Sequence, residues 1–449
     1  MRFLRFCCIV FLYFIPPFSS NAQLAIIRDA ETEKFLRNLC YPIFDAAGLD
    51  SSEIAIYIIN DESLNAFVTG GKNVFIHSGL ISRFSTPDAL IGVVAHETGH
   101  ITAGHLARSS ENAQKATGAM LLGYLLGIGA ALSGSPDAAT AIILGSSQTA
   151  ERVFMKFTRE QEEAADQLGL KYLNKLRYPA KGLVELLEIF QKEMTTSGAQ
   201  IDEYLLSHPV SIKRIDYLKA NTLHSNFSDK NINAKLQKQM NRVLLKLEAY
   251  MEKPADLLKK YQNSNDDEAN YVKAIALHRS AHSKEGLQLL EPLVLKNKDD
   301  GFLLELKAQI LFESGDIVNA IEIYSKAIRY LDNQESALAK VYFASAILSL
   351  QKNDSDLIKL AIKSLREAEL FEEENPFLFK QLAVAYNKIK DDGRAMLSLA
   401  QFNYLRGNKD KAIEYAKLAK VKLKDFDKEE MLRADDIIEL ANKMEKVKN

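Results

Sequence analysis

Apolar positions recur along this chain with two periods, and the change between them marks its elements. Residues 28–47 repeat apolar side chains at helical spacing and stop at Gly48, which predicts an amphipathic helix with an ending signal. Ile54-Ala55-Ile56-Tyr57-Ile58-Ile59 is then a continuous apolar run rich in β-branched residues, as in a buried strand. Leu64 to Val68 and Val74 to His77 flank Gly70-Gly71, a pair that permits positive φ, and so predict a hairpin. A helix over Pro87–Ala107 begins with Leu90-Ile91-Gly92-Val93-Val94-Ala95, apolar on every side. Helices follow almost without break. The expected fold is α+β, a small sheet attached to a mainly helical body.

Beyond about residue 245 the pattern becomes one of Lys/Glu-rich amphipathic helices. Ala308, Gly315, Ala320, Tyr324 and Ala327 have the small-and-aromatic spacing of a tetratricopeptide repeat, a helix pair of about 34 residues. Ala361, Leu365 and Ala368 echo its second helix, and Ala383, Tyr386, Ala395 and Leu399 repeat the pattern. Ala412, Ala416 and Ala419 form a last unit. An all-α solenoid over residues 246–449 is expected, presenting a concave surface to partners and carrying no chemistry of its own. Residues 116–136 carry no charge but five glycines, Gly118, Gly123, Gly127, Gly129 and Gly134. A membrane span there would strand chemistry-bearing residues on opposite sides. The reading is an apolar helical excursion packed near the site, or making peripheral contact with a membrane or client surface.

The amino terminus has its own pattern. Arg2 and Arg5 precede an apolar run from Phe6 to Ile15, and Ser20-Asn21-Ala22 offers small residues for cleavage before Gln23. Residues 1–22 are expected to be a secretory signal peptide, and the destination a bacterial periplasm. Cys7 and Cys8 lie within that run, so Cys40 alone remains and no internal disulfide can form. A length of 449 residues allows two or three domains, here 23–245 and 246–449 after the leader. With 47% hydrophobic and 26% charged residues and a net charge of −2, the chain has no global attraction for nucleic acid.

Chemistry concentrates in His96-Glu97-Thr98-Gly99-His100. Histidines four apart lie above one another on a helix, so both rings can reach one ion. Glu97 then sits where it can hold a water and take its proton. A catalytic zinc needs a third protein ligand and an open position. Glu162 and Asp166, four apart in a second predicted helix, supply a carboxylate for the ion and another to orient an imidazole. His105 falls five residues after His100, about 140° around the helix from the metal face, and reads as a non-ligand. A structural zinc site is disfavoured by the lack of a cysteine cluster.

These residues resemble the metalloproteases that include the integral-membrane prenyl-protein endopeptidases. They are more similar to the beta-barrel assembly-enhancing proteases, a periplasmic family joining such a domain to tetratricopeptide repeats. The matching elements are Asn65-Ala66-Phe67 with Gly70-Gly71 and Ser78-Gly79-Leu80, His96 to His100, Glu162 to Asp166 with Gly169, and Ser207-His208-Pro209 through Arg214-Ile215. Gly393-Arg394-Ala395 through Tyr404-Leu405-Arg406-Gly407 looks like the family's last repeats. The resemblance implies one Zn2+ per chain held by His96, His100 and Glu162, with Glu97 as general base and Asp166 behind a ligand. It implies that His208 can take the fourth zinc position and idle the enzyme, although Pro209 also suits a helix start that His208 would cap. Arg214 is implied as an electrostatic stabiliser, and Asn65-Ala66-Phe67 as the strand along which substrate backbone is laid.

The implied activity is zinc-dependent endopeptidase action on misfolded or assembling outer-membrane β-barrel proteins. The repeats would engage the β-barrel assembly machinery. The competing reading is a repeat-based chaperone or assembly scaffold in which proteolysis is secondary.

Overall fold

The computed structural model describes residues 25–69, 73–105, 158–196, 208–223, 234–351, 354–423 and 427–444. The expected leader, the Gly70-Gly71 turn and the apolar segment 116–136 lie outside these residues. Strands β1 (Ala25–Ile27), β2 (Ala55–Asn60), β3 (Ala66–Thr69) and β4 (Asn73–His77) form one sheet in the order β1-β2-β4-β3. β2 and β4 run parallel, and the outer pairs are antiparallel. Ile58, Ala66, Val68, Val74 and Ile76 point into the main core beneath helix α1 (Ala30–Ala46). On the other face Tyr57, Phe75 and Phe67 stack in a row, with ring centroids 5.0 and 5.1 Å apart. Both faces of β2 are therefore lined by apolar groups, which is why its sequence shows no alternation.

Helix α1 starts at Asp29, whose carboxylate accepts the Thr32 N–H. After α2 (Ser78–Arg83), the buried helix α3 (Pro87–Thr102) runs through the centre of this unit. It packs against α4 (Arg159–Leu176) and α5 (Lys181–Thr196). Glycine makes the α3–α5 crossing close: a Cβ on Gly92 would lie 2.6 Å from the Leu183 nitrogen, and one on Gly182 would lie 2.1 Å from the Asp88 carbonyl oxygen. Helix α6 (Ile212–Leu223) closes the domain against α4 and α5.

Helix α7 (Ala234–Met251) runs straight through the expected boundary at residue 245. Its Leu236, Met240, Val243 and Leu247 belong to the first core, whereas Ala249 belongs to the next. From there the chain is a succession of helical hairpins. They comprise α8 (Pro254–Lys260), α9 (Asp267–Arg279), α10 (Ser283–Lys296), α11 (Gly301–Glu313), α12 (Ile317–Tyr330) and α13 (Ser336–Ser349). Then follow α14 (Ser355–Glu369), α15 (Pro376–Lys388), α16 (Asp392–Leu405), α17 (Lys409–Lys422) and α18 (Lys428–Lys443). Ala308, Ala320, Tyr324 and Ala327 are fully buried where α11 and α12 meet, and Gly315 turns between them at a φ of +89°. Among the described residues no helix is long and apolar enough to cross a membrane.

Charged pairs join the solenoid to α1 and the sheet. Arg28 reaches Glu372 at 2.5 Å, Lys34 and Arg37 face Glu335, and Arg242 bridges Glu31 and Asp300. Between the two units lies a cavity of 270 Å³ lined by Arg28, Lys246, Glu305, Tyr324 and Tyr342, among others. Burial, reinforced by the Asp29 and Glu31 carboxylates, pushes Glu305 up to about 8 despite the Lys246 ammonium nearby. Folding thus favours protonated Glu305, and stability falls as pH rises from about 4.5 toward about 8. Glu305→Gln should melt higher than the parent at pH 8.5, by roughly 2–4 °C per kcal/mol recovered, and match it near pH 5. Parallel melting curves for the two chains across that range, followed by circular dichroism, would contradict the assignment.

Candidate metal centre

Helix α3 begins with Pro87 in its first turn, where a missing N–H costs no hydrogen bond, and every residue from Pro87 to His100 is buried. Its apolar first half anchors the helix, which carries His96, Glu97 and His100 into the interior. Helix α4 starts with a capping box: the Thr158 hydroxyl accepts the Gln161 N–H, and the Gln161 side chain accepts the Thr158 N–H. That start sets the helix phase so that Glu162 and Asp166, one turn apart, both face α3.

Gly99 and Gly169 bring the two helices into contact. A Cβ on Gly99 would sit 2.5 Å from the Ala165 carbonyl oxygen, and one on Gly169 would sit 3.2 Å from the Ala95 carbonyl carbon. Backbone therefore meets backbone, and the Glu162 carboxylate reaches the imidazoles. His96 Nε2 and His100 Nε2 are 3.1 Å apart, and Glu162 lies 3.4 Å from the first and 3.3 Å from the second. His208 Nδ1 completes the group, 3.4 Å from His96 Nε2 and 3.0 Å from Glu162 Oε1. These four donors lie within 4.8 Å of one another, all buried. Bonds of about 2.0–2.1 Å from a tetrahedral zinc place neighbouring ligand atoms roughly 3.3 Å apart. Several of the observed separations, at 3.0–3.4 Å, approach that edge, with the whole group within 4.8 Å, so three imidazoles and a carboxylate are placed to hold such an ion.

His96 Nδ1 is 2.9 Å from Asp166 Oδ1, which orients the ring with Nε2 toward the other donors. Arg214 lies beside the group, as its expected electrostatic role requires. Only 2% exposed, it donates from Nε and Nη2 to the two Asp166 oxygens at 2.7 and 2.9 Å and from Nη1 to the Pro209 carbonyl. Its Nη1 is also 2.6 Å from Glu162 Oε2, an ion pair that lacks the alignment of a hydrogen bond. Arg214 therefore holds both carboxylates in place. Helix α6 starts after Ser211, whose hydroxyl accepts the Arg214 N–H. Capping falls to Ser211, and His208 lies among the metal donors with its Nε2 3.5 Å from Glu97 Oε1.

Charge is tightly coupled here. Burial opposes a charge on His96, but Asp166 and Glu162 outweigh it and lift its pKa to about 10. Burial, with His96 and His208 alongside, lowers His100 to about 3 in spite of Glu162. Burial alone would raise Glu162; His208, His100 and His96 reverse that and hold it well below the usual carboxylate range. The buried carboxylates thus call for positive charge, which a divalent cation supplies.

The expected substrate strand lies at the sheet edge. β3 begins at Ala66 and pairs with β4, and Asn65 precedes it with its carbonyl accepting the His77 N–H. By antiparallel alternation Ala66 and Val68 turn their backbone groups to the other side. Phe67 is packed on Phe75 and His77.

His105 was misplaced by periodicity. Helix α3 ends at Thr102, and Gly104, at a φ of +66°, reverses the chain. His105 Nδ1 therefore lies 2.9 Å from His100 Nδ1. The signal was Gly104 itself, a helix-stopping residue inside the expected Pro87–Ala107 helix.

Two imidazoles one turn apart on a buried helix, a carboxylate from a second helix and an adjacent glutamate define a metallopeptidase-type centre. Residues 29–222 match the model of peptidase family M48. The beta-barrel assembly-enhancing protease of Escherichia coli (strain K12) is 28% identical over 203 residues, covering 45% of this chain and 41% of that protein. Its namesake from Yersinia pestis is 24% identical over 294 residues, 65% of this chain and 60% of the relative. The mitochondrial metalloendopeptidase OMA1 of Saccharomyces cerevisiae is 30% identical over 193 residues, 41% of this chain and 52% of the relative. The chain thus spans about two-fifths of the length of the Escherichia coli relative.

Gly99→Ala tests the helix contact. The gain in helix propensity, about 1 kcal/mol, is opposed by overpacking of about 1–3 kcal/mol. Zinc affinity should fall roughly tenfold or more as Glu162 is pushed from the rings. Unchanged affinity in a chelator competition would show that the glycine does not set the ligand spacing.

Proposed function

We propose that this protein is a zinc-dependent endopeptidase of the bacterial periplasm that acts in quality control and assembly of outer-membrane β-barrel proteins. The observation that carries the enzymatic part is the buried group His96, His100, Glu162 and His208 with Glu97 beside it. The client class rests on the names of the bacterial relatives, beta-barrel assembly-enhancing proteases.

A zinc held by His96, His100 and Glu162 would supply Lewis acidity and make a nearby water more acidic. Glu97, beside this group, would take a proton from the attacking water and deliver it to the leaving amine. Asp166 keeps the His96 ring turned toward the cation, and Arg214 compensates the buried carboxylates. Asn65-Ala66-Phe67, at the start of the edge strand β3, is the segment along which an extended client backbone would be laid, giving recognition that depends little on client sequence. His208, within 3.0–3.4 Å of Glu162 and His96, could serve as a fourth donor that idles the enzyme until it swings away.

The solenoid supports a second role. Its helical hairpins are tetratricopeptide-like, and ion pairs fasten them to α1, which suits a scaffold that holds the β-barrel assembly machinery or a client near the site.

Glu97→Gln should reduce client cleavage by about 10²–10⁴-fold or more and retain zinc. Retained proteolysis would remove Glu97 from its role. If Glu97→Gln fully restores barrel assembly in cells, scaffolding is the principal activity and cleavage an accessory one. His208→Ala should cleave faster than the parent, whereas joint loss of zinc and cleavage would make His208 an essential ligand.

A further inference from the structure

One buried histidine outside the four donors touches the group from behind. The reversal at Gly104 returns His105 to the flank of His100, where the rings meet edge to face with centroids 5.0 Å apart and their Nδ1 atoms 2.9 Å apart. His105 is 5% exposed, so the contact is shielded from bulk water. Only one proton fits between two nitrogens at that distance, because two facing N–H groups would repel.

Which ring carries it follows from the other end of His100. Its Nε2 is the atom among the donors, 3.1 Å from His96 Nε2 and 3.3 Å from Glu162 Oε1. A metal-binding nitrogen must offer a lone pair, so the His100 proton resides on Nδ1. The Nδ1 of His105 is then the acceptor and carries no hydrogen.

We propose that His105 is a positioning residue for the metal, its neutral Nδ1 accepting the His100 Nδ1–H and fixing both the tautomer and the ring plane of that ligand. This rests on the zinc reading above. His105 does for His100 what Asp166 does for His96, but with an uncharged acceptor. The two ligand histidines are therefore unequal. A carboxylate behind His96 makes that ring the stronger donor, whereas a neutral acceptor behind His100 orients its ring without adding a third buried negative charge beside Glu162 and Asp166.

The test compares zinc affinity by chelator competition in the parent, His105→Phe and His105→Asn, each checked for native helix content. Asparagine can place its side-chain oxygen where Nδ1 lies, whereas phenylalanine keeps the ring shape without an acceptor. His105→Phe should bind zinc roughly 10–100-fold more weakly, and His105→Asn should recover most of that loss. In 15N NMR of the zinc-loaded parent, His100 should be protonated at Nδ1, with that resonance shifted in His105→Asn. Equal affinity in the parent and His105→Phe, or equal loss in both variants, would overturn the positioning role. A parent chain that binds no zinc would instead overturn the metal reading, and this one with it.

Discussion

The close crossing of α3 and α4 is the constraint on which the site depends. Only with no side chain at Gly99 and Gly169 can these helices approach until backbone meets backbone. A separation larger by one methyl group would take Glu162 out of reach of imidazoles it now faces at 3.3–3.4 Å. The apolar run Leu90–Ala95 and the capping box at Thr158 act through this contact. One buries α3 so that it cannot shift, and the other sets the phase of α4. Packing thus becomes coordination geometry, and no loop is needed to bring these three donors together.

Burying so many ionisable groups is costly unless each is matched. Asp166 is held between Arg214 and His96, and Glu162 among Arg214 and three imidazoles. Asp166 and Arg214 thereby fix one another and, through His96, the direction from which a cation is held. His208 differs in that it precedes α6, whereas the other donors lie within α3 and α4. The ion pairs from Arg28, Lys34 and Arg37 to the solenoid keep the repeats beside this domain.

Much of this was legible in the residues. The spacing of His96 and His100, the run Ile54–Ile59, the two apolar runs that form β3 and β4, and the alanine periodicity of α11 and α12 each correspond to an observed element. These features are local, because a helix or strand advertises its own period. What escaped was non-local or fell at an end. Periodicity carried α3 beyond Gly104 and so turned His105 away from His100. The pairing of Arg214 with Asp166 joins residues 48 apart in sequence, a contact that no pattern on one helix can report. That α7 carries residues of both cores across the expected boundary near 245 is likewise a matter of tertiary packing.

The most direct measurement of the central claim is X-ray absorption at the zinc edge on the resting, zinc-loaded chain. The account predicts one ion with four nitrogen or oxygen neighbours at about 2.0–2.2 Å, three of them showing the outer-shell scattering of imidazole. Removing His208 should lower that imidazole count by one and leave the Glu162 oxygen in place. A spectrum with sulfur neighbours, a six-coordinate water-rich shell, or an imidazole count indifferent to His96 and His100 would contradict it.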